Sequence, residues 1–390
     1  MNRLKTLINE LCPDGVDYVK IGDVVNYEQP AKYIVKSTDY SDKFDIPVLT
    51  AGQTFILGYT YEKNNIYQAT KENPVIIFDD FTGAFKWVDF PFKVKSSAMK
   101  ILTADEDKTF IRYIFHIMGK IGLSSDEHKR LWISIYSEFK IPLPPLDVQR
   151  EIVRILDNFT TLKRELEKEL DLRKKQYSYY RDMLLNFGDN VEYKTLGEIA
   201  TIMRGASPRP IKYFVTDDIN GIHWIKIGDV SPESKYITDT KERITVDGAK
   251  KSRFVHKGDF ILSNSMSFGR PYILNIDGCI HDGWLSISDF EKYVLSDYLY
   301  YVLVSSPIQK EMHKKASFGG AVQNLNSDIV KSITIPVPPI KEQERIVKIL
   351  DKFDSLCNDL TSGIPAEISA RQKQYEYYRD KLLTFKELRT

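Results

Sequence analysis

From Val148 the apolar residues fall at 148, 152, 155, 159, 162, 166 and 170, then at Tyr177, Tyr180 and Leu184. Steps of three and four are the period of an α-helix with one apolar face. No Gly or Pro occurs from Asp147 to Phe187, so the spacing predicts one helix of 41 residues. At 1.5 Å per residue it would be about 60 Å long. Such a helix outruns a small domain and needs a long partner.

The same stripe returns at 346, 349, 353, 356 and 360, and again at Ile368, Tyr375, Tyr378 and Leu382. Between these runs stands Ser362-Gly363-Ile364-Pro365. Pro365 has no N–H for the Thr361 carbonyl, so a kink is expected there. Each helix is the obvious partner of the other. The expected packing residues are Ile152, Ile155, Phe159, Leu162 and Leu166 on the first, and Ile346, Ile349, Phe353, Leu356 and Leu360 on the second.

The stripes belong to a duplication. IPLPPLDVQREIVRILD from Ile141 matches IPVPPIKEQERIVKILD from Ile335, an offset of 194. KQYSYYRDMLLNF from Lys175 matches KQYEYYRDKLLTF from Lys373, an offset of 198, so the second copy carries four extra residues. About one helical turn is thereby added, a stutter that keeps the apolar face in place. A weaker echo links VDYVKIGDV from Val16 with VEYKTLGEI from Val191. Prolines 142, 144 and 145 end an extended segment, and Asp147 follows as an acidic residue at the helix start.

Residues 25–130 and 200–320 show little similarity to each other. Constant joining pieces around two variable regions are the layout of two readers on one scaffold. Within the first region, PVIIFDD (74–80) and FKWVDFPFKV (85–94) read as strands, and 110–120 as helix. Within the second, IHWIKIGDV from Ile222 and GDFILSNS from Gly258 read as strands, and 296–315 as helix. Both are expected to be α+β domains.

Composition adds bounds. The chain has 390 residues, 42% of them hydrophobic, enough for two or three packed domains. Lys and Arg total 55 against 54 Asp and Glu, so nucleic-acid binding would need local patches. No apolar run approaches a membrane span and no secretory h-region is visible. Three scattered cysteines suit a reducing compartment, and a cytoplasmic protein is expected.

Catalytic signatures are missing from the sequence: no phosphate-cradling P-loop, no G-x-G-x-x-G after a strand, no H-E-x-x-H. An Asp/Asn-Pro-Pro-aromatic loop, which an amino-methyltransferase uses to hold its target amine, is also missing. Asp79-Asp80 with Lys86 could be drawn as a nuclease cluster, but a strand end and turn explains it more simply. His281-Asp282 reads as a loop pair.

Donors suited to DNA cluster in the second variable region. Arg204, Ser207, Arg209 and Lys212 surround Gly205 and Pro208. Ser263, Asn264, Ser265 and Arg270 lie in one Gly-bearing loop, and Gln323 and Asn324 follow two glycines. Asn and Gln can pair bidentately with adenine, and Arg with guanine. Residues 201–260 hold eleven Lys and Arg against eight Asp and Glu. In the first region the comparable candidates are Thr82, Lys86, Lys93, Lys129 and Arg130.

The paired IPxPP blocks, the KQYxYYRDxLLxF blocks, GGAVQNLNSDIV and LGEIATIMRGASP together resemble the specificity subunit of type I restriction–modification enzymes, over nearly the whole chain. The resemblance implies target recognition domains at residues 1–146 and 188–340. It implies spacer helices at 147–187 and 341–385 that form an antiparallel coiled coil. Each recognition domain would read half of a split site in double-stranded DNA. The implied partners are two methylation subunits and a restriction and translocase subunit. The chain itself would bind no cofactor; S-adenosylmethionine, ATP and magnesium would sit on those partners. One departure stands out: the GGAVQNLN loop has no clear counterpart before the first IPLPP block. Two other readings stay open, a coiled-coil scaffold with two protein-binding heads and a self-contained methyltransferase or nuclease.

Overall fold

The computed structural model describes residues 2–50, 54–122, 130–231, 234–264, 268–316, 324–359 and 361–388. The chain divides into two compact units, Met1–Glu165 with Ile368–Thr390, and Leu166–Glu367.

The first unit begins with helix α1 (Asn2–Leu11), which buries Leu4. Its strands are β1 (Asp17–Lys20), β2 (Val25–Glu28), β3 (Ile46–Leu49), β4 (Ile56–Thr60), β5 (Val75–Asp79), β6 (Phe85–Val88), β7 (Lys93–Val94), β8 (Met99–Ala104) and β9 (Lys140–Leu143). Helices α2 (Ile111–Ile121) and α3 (Leu131–Ser134) precede β9, and α4 (Leu146–Leu184) follows it. Strands in the order β2-β8-β5-β6 make an antiparallel sheet, and β4-β3-β7 make a mixed one. The expected strand over 85–94 is therefore two strands in different sheets. Asp89-Phe90-Pro91 separates them, and Pro91 cannot continue a ladder.

The second unit contains β10 (Glu192–Thr195), α5 (Leu196–Ile199), β11 (Thr201–Arg204), β12 (Val215–Thr216), β13 (Ile222–Ile225), β14 (Tyr236–Ile237), β15 (Glu242–Ile244), α6 (Val246–Ala249), β16 (Arg253–Val255), β17 (Phe260–Ser263), β18 (Pro271–Leu274), β19 (Gly278–Ile280) and β20 (Trp284–Ser288). Then come α7 (Ser296–Leu303), α8 (Ser306–Ala316), α9 (Ser327–Lys331), β21 (Thr334–Val337), α10 (Ile340–Asn358) and, crossing into the first unit, α11 (Ile364–Leu382). The helix expected over 296–315 is thus two. Asp182 takes the freed Ser306 N–H at 3.1 Å, and the Ser305 hydroxyl bonds Val302 O at 2.7 Å.

The two variable regions share one plan that their sequences hide. Sheet β11-β20-β17-β18 repeats β2-β8-β5-β6 in order and direction, with β14 added at its edge. Strand β13 pairs parallel with β19 and antiparallel with β15, as β3 does with β7 and β4. Strands β1–β9 and β10–β21 pair in the same register, with Tyr18 opposite Pro142 and Tyr193 opposite Pro336. After each first strand a glycine permits close passage. A Cβ on Gly22 would lie 3.1 Å from that of Ser137, and one on Gly197 would lie 3.0 Å from that of Lys331.

A glutamine pins each framework helix to its domain. Gln149 is fully buried: its amide donates to Lys108 O and Pro144 O at 3.0 and 2.8 Å, and its carbonyl accepts from Thr109 Oγ1 at 2.8 Å. Gln343, also fully buried, donates to Tyr293 O and Pro338 O at 3.1 and 2.8 Å and accepts Leu295 N–H at 2.8 Å. Tyr113 donates to Pro142 O at 3.0 Å, and Tyr298 to Pro336 O at 3.1 Å. About two turns further along each framework helix, Asp157 meets His116 Nε2 at 3.0 Å where Asp351 meets the Tyr301 hydroxyl at 2.5 Å.

The first framework helix is continuous for 39 residues. The second is not: α10 stops at Asn358, and Asp359 holds the Thr361 N–H and the Thr361 and Ser362 hydroxyls at 2.7, 2.6 and 2.5 Å. The four extra residues thus form a capped break rather than the expected kink or stutter. Helix pairing is antiparallel in order. In the first unit Phe159 stacks on Tyr378 at 5.2 Å between centroids; in the second, Tyr180 stacks on Phe353 at 5.6 Å.

The apolar stripe divides between two jobs. Val148, Ile152 and Leu156 are fully buried in the first unit's core, and Ile346, Leu350 and Cys357 in the second's. Ile155 is 9% exposed, while Leu166, Ile349, Phe159 and Phe353 are half-buried. Leu162 and Leu356, expected in the seam, are 44% and 39% exposed, and Leu360 lies outside the described residues. The 3.6-residue period carries the stripe off the seam, so the next residue round, Leu156 or Leu350, is buried instead.

Candidate nucleic-acid interface

The second unit gathers four of its predicted donors around one residue, Asp282. Strand β11 ends at Arg204, and Gly205 follows so close to His281 O that a Cβ would overlap it. Its approach brings the loop 205–210 against residues 281–283. Ser207 Oγ donates to Asp282 Oδ1 at 2.7 Å, and Arg209 lies 3.5 Å from Oδ2. The Asp282 carbonyl accepts from Asn264 Nδ2 at 3.0 Å and from Arg204 Nε at 3.2 Å. The Ser207 hydroxyl holds the Asp282 carboxyl below its ordinary range, so it is ionised at neutral pH.

An open groove of about 590 Å³ runs beside this node, lined by Arg204, Lys226, Asn264, His281, Asp282 and Asn324 among others. Asn324 is exposed. Leu325 is buried and donates its N–H to Asn264 O at 2.8 Å, which ties segment 324–325 to the hairpin end. Burial depresses His281, whose Nδ1 accepts from Gly283 N–H at 2.6 Å. With its proton partner a backbone amide and Ser207 bonded to Asp282, His281 forms no nucleophilic relay.

Some predicted residues lie elsewhere. Ser263 is fully buried in β17 and Asn264 is 5% exposed, so Asn264 serves chiefly to hold the groove's wall. Arg270, predicted from the same loop, faces a different cavity with Tyr177, Arg181 and Tyr300. Lys212 is exposed with its ammonium 5.2 Å from the Tyr213 ring centre. Ser265 and Gln323 lie outside the described residues, as does Lys129.

The first unit presents the matching place. The turn after β5 is held by Asp79, whose Oδ1 accepts from Phe81 N–H at 2.8 Å and Thr82 N–H at 3.3 Å. Asp80 is buried, pairs with Lys100 at 3.4 Å and accepts Trp132 N–H at 2.9 Å. These are structural carboxylates, the simpler of the two readings, though Asp80 is paired in the core rather than solvated. Asp80 O accepts from Leu131 N–H at 2.8 Å, as Asn264 O does from Leu325. Leu131 and Leu325 are both buried and stand 194 residues apart, the framework offset. Arg130 and Asn324, each exposed, therefore occupy the same position at the two hairpin ends. Residues 130–131 before IPLPP are thus the counterpart of 324–325, with a different side chain at the exposed position.

Thr82 and Lys86 are exposed beside Arg130's hairpin. Lys93 is a correction. It is 2% exposed, paired with Glu62 at 3.0 Å and donating to Asn64 O at 2.9 Å, so it is sealed in the fold. A lysine in a run of aromatics looks like a surface cation in sequence; here a loop carboxylate buries it. The sequence reading also missed Lys226 and undervalued Asp282, for which spacing offers no signal. Among the described residues no three His, Cys, Asp or Glu side chains come together to hold a metal, and no helix is long and apolar enough to cross a membrane.

The sequence pattern of a family described as Type I restriction modification DNA specificity domain matches residues 13–172 and 188–370. The chain is 44% identical to a type I restriction enzyme specificity subunit of Escherichia coli, over 95% of each chain. It is 30% identical to a putative type I restriction enzyme specificity subunit of Haemophilus influenzae, over 99% of this chain and all of that one. In fold it is similar to the S subunit of a type I restriction–modification system from M. genitalium, with a TM-score of 0.55 at 14% identity over 95% of this chain and 96% of the other. A chain from a type I R-M assembly gives a TM-score of 0.58 at 17% identity, over 96% and 98%.

Proposed function

Because this chain belongs to the type I restriction modification DNA specificity family, we propose that each of its two recognition domains reads one half of a split site in double-stranded DNA. Methylation and cleavage are then the work of partner subunits. The observation that carries this reading is the repeated hairpin end. One topology, built twice, places Arg130 with Thr82 in one domain and Asn324 with Arg204 in the other. Arg suits the O6 and N7 edge of guanine and Asn the N6 and N7 edge of adenine.

Non-reading surfaces repeat too. Tyr179 and Tyr377, 198 residues apart, are 66% and 60% exposed on the framework helices. Identical exposed aromatics on each copy suit two copies of one partner, the methylation subunit, with a restriction and translocase subunit added to that complex. S-adenosylmethionine, ATP and magnesium belong on those partners, and the cytoplasm is where such a complex meets its DNA. The chain contributes address rather than chemistry.

The test is mapping of methylated adenines in cells carrying the methylation subunit, with the native chain and with residues 16–140 exchanged for those of another family member. A two-part motif should appear, and only one half should change in the exchange. Loss of both halves in a folded chimera, or methylation by the purified chain alone, overturns the proposal.

A further inference from the structure

Where the hairpin leaves its strand toward the framework helices, the two domains carry different side chains in the same register. Phe85 in the first packs edge-on against Phe115, with 5.2 Å between centroids. In the second, register puts Pro271 at Phe85's position and Arg270 at that of Ala84, since Ser263 N–H bonds Arg270 O as Asp79 N–H bonds Ala84 O. The offset of 185 that relates Tyr113 to Tyr298 puts Tyr300 at Phe115's. In place of a packed aromatic pair there is a cavity of about 610 Å³, whose walls include Tyr177, Arg181, Phe268, Arg270, Tyr300 and Asp354.

Most polar groups of this cavity are already engaged. Arg181 pairs with Asp182 at 3.0 Å. Asp354 accepts from Asn358 at 2.9 Å. Among the described residues, Arg270 has no carboxylate partner, its guanidinium lying 5.7 Å from the Tyr272 ring, and the Tyr300 hydroxyl has no hydrogen-bond partner. Burial and the nearby Asp354 push the Tyr300 phenol up to about 12, so it remains a donor at neutral pH. Two idle donors, one cationic, thus face a space flanked by aromatic rings, with Phe268 backed by His313 at 4.4 Å. The volume is that of an ordinary small-molecule site.

We propose that this cavity binds a nucleoside monophosphate, its phosphate on Arg270 and the Tyr300 hydroxyl and its base between Tyr177 and Phe268. Occupied, it would tie the recognition hairpin to the framework helices of its own unit. Charge-assisted bonds to phosphate from the planar guanidinium are the strong ones, which makes Arg270 the main contact.

The experiment is calorimetric titration of the full chain with adenosine 5′-monophosphate, adenosine and inorganic phosphate. Saturable one-to-one binding of the monophosphate, tighter than either fragment, is expected. Arg270→Ala should weaken it about tenfold or more, and Tyr300→Phe less, in the same direction. Each variant installs the residue the first domain already carries, Ala84 or Phe115, so unchanged thermal unfolding is expected; should Arg270→Ala not fold, Arg270→Lys should still weaken binding. No saturable binding at millimolar nucleotide overturns the proposal. So does binding indifferent to both substitutions, or phosphate binding as tightly as the nucleotide. Displacement of the nucleotide by a DNA duplex lacking any recognition site would assign the cavity to the DNA backbone instead, and would equally overturn it.

Discussion

Position 100 in the first recognition domain is a lysine buried against Asp80; the position in the same register of the second is Leu285, fully buried in an apolar cluster. One strand of one topology accepts an ion pair in one copy and an aliphatic side chain in the other. Elsewhere the copies agree to the atom: Gln149 and Gln343, Tyr113 and Tyr298, Leu131 and Leu325 make matching bonds. What is held constant binds backbone carbonyls or amides, which every sequence possesses. What varies meets other side chains, which can change in concert.

That contrast can be broken by experiment. Lys100→Met should cost the largest amount, about 3–5 kcal/mol, because Asp80 is left buried and uncompensated; urea unfolding of the full chain measures it, and a loss under 1 kcal/mol would mean the pair is replaceable in isolation. Gln149→Leu and Gln343→Leu should each cost about 2–3 kcal/mol, since each strands buried backbone groups. Their losses should match within about 1 kcal/mol if the two pins are equivalent.

A finer test uses a matched pair of different chemistry, His116 and Tyr301. His116 is fully buried against Asp157 and the Tyr375 hydroxyl, with Arg112 and Arg379 nearby, and burial lowers its pKa below the ordinary value. Because the folded state resists the proton that the unfolded chain accepts, its stabilising contribution is whole above about pH 6.5. It is lost as pH falls below that value toward the folded pKa. His116→Tyr copies Tyr301 and should remove this loss. The gap between variant and wild type, read from unfolding midpoints, should widen from pH 7 to pH 5. A constant gap would show that His116 does not carry it.

The smallest expected effect is at the DNA. Lys86→Ala should weaken cognate and random duplex alike and reduce the salt slope of binding by about one. Asn324→Ala should instead erode preference for the cognate site, by about 1–3 kcal/mol. If both behave alike, Asn324 positions the backbone and the contrast between the two hairpin ends lies elsewhere.

Sequence showed the duplication, the framework helices and the polar hairpin ends because periodicity and repeated blocks are local signals. It concealed the shared topology of residues 25–130 and 200–320, since strand order is decided by pairing between distant segments and tolerates any side chains that fill the sheet. Gln149 and Gln343 were visible as matched letters, but their role depends on carbonyls brought up from other loops. Lys93 misled because nothing in its neighbourhood announces Glu62, some 30 residues earlier. The surroundings of Arg270 were not legible because the α4 and α10 helices it faces are remote in the chain.

The first unit takes its last pieces from the far end of the chain. Leu382 and Leu383 fill its core, Val16 N–H donates to Lys386 O at 2.9 Å, and Tyr18 donates to Phe385 O at 2.9 Å. The second unit is a single uninterrupted stretch, 166–367. On the ribosome, therefore, the half translated first must wait and the half translated later can finish first. With synthesis at about 5–20 residues per second, the interval in which the first unit's β-strands stand without α11 lasts on the order of ten seconds or more. During it, the apolar face that Leu382 and Leu383 will cover is open to chaperones and to the same face on neighbouring nascent chains.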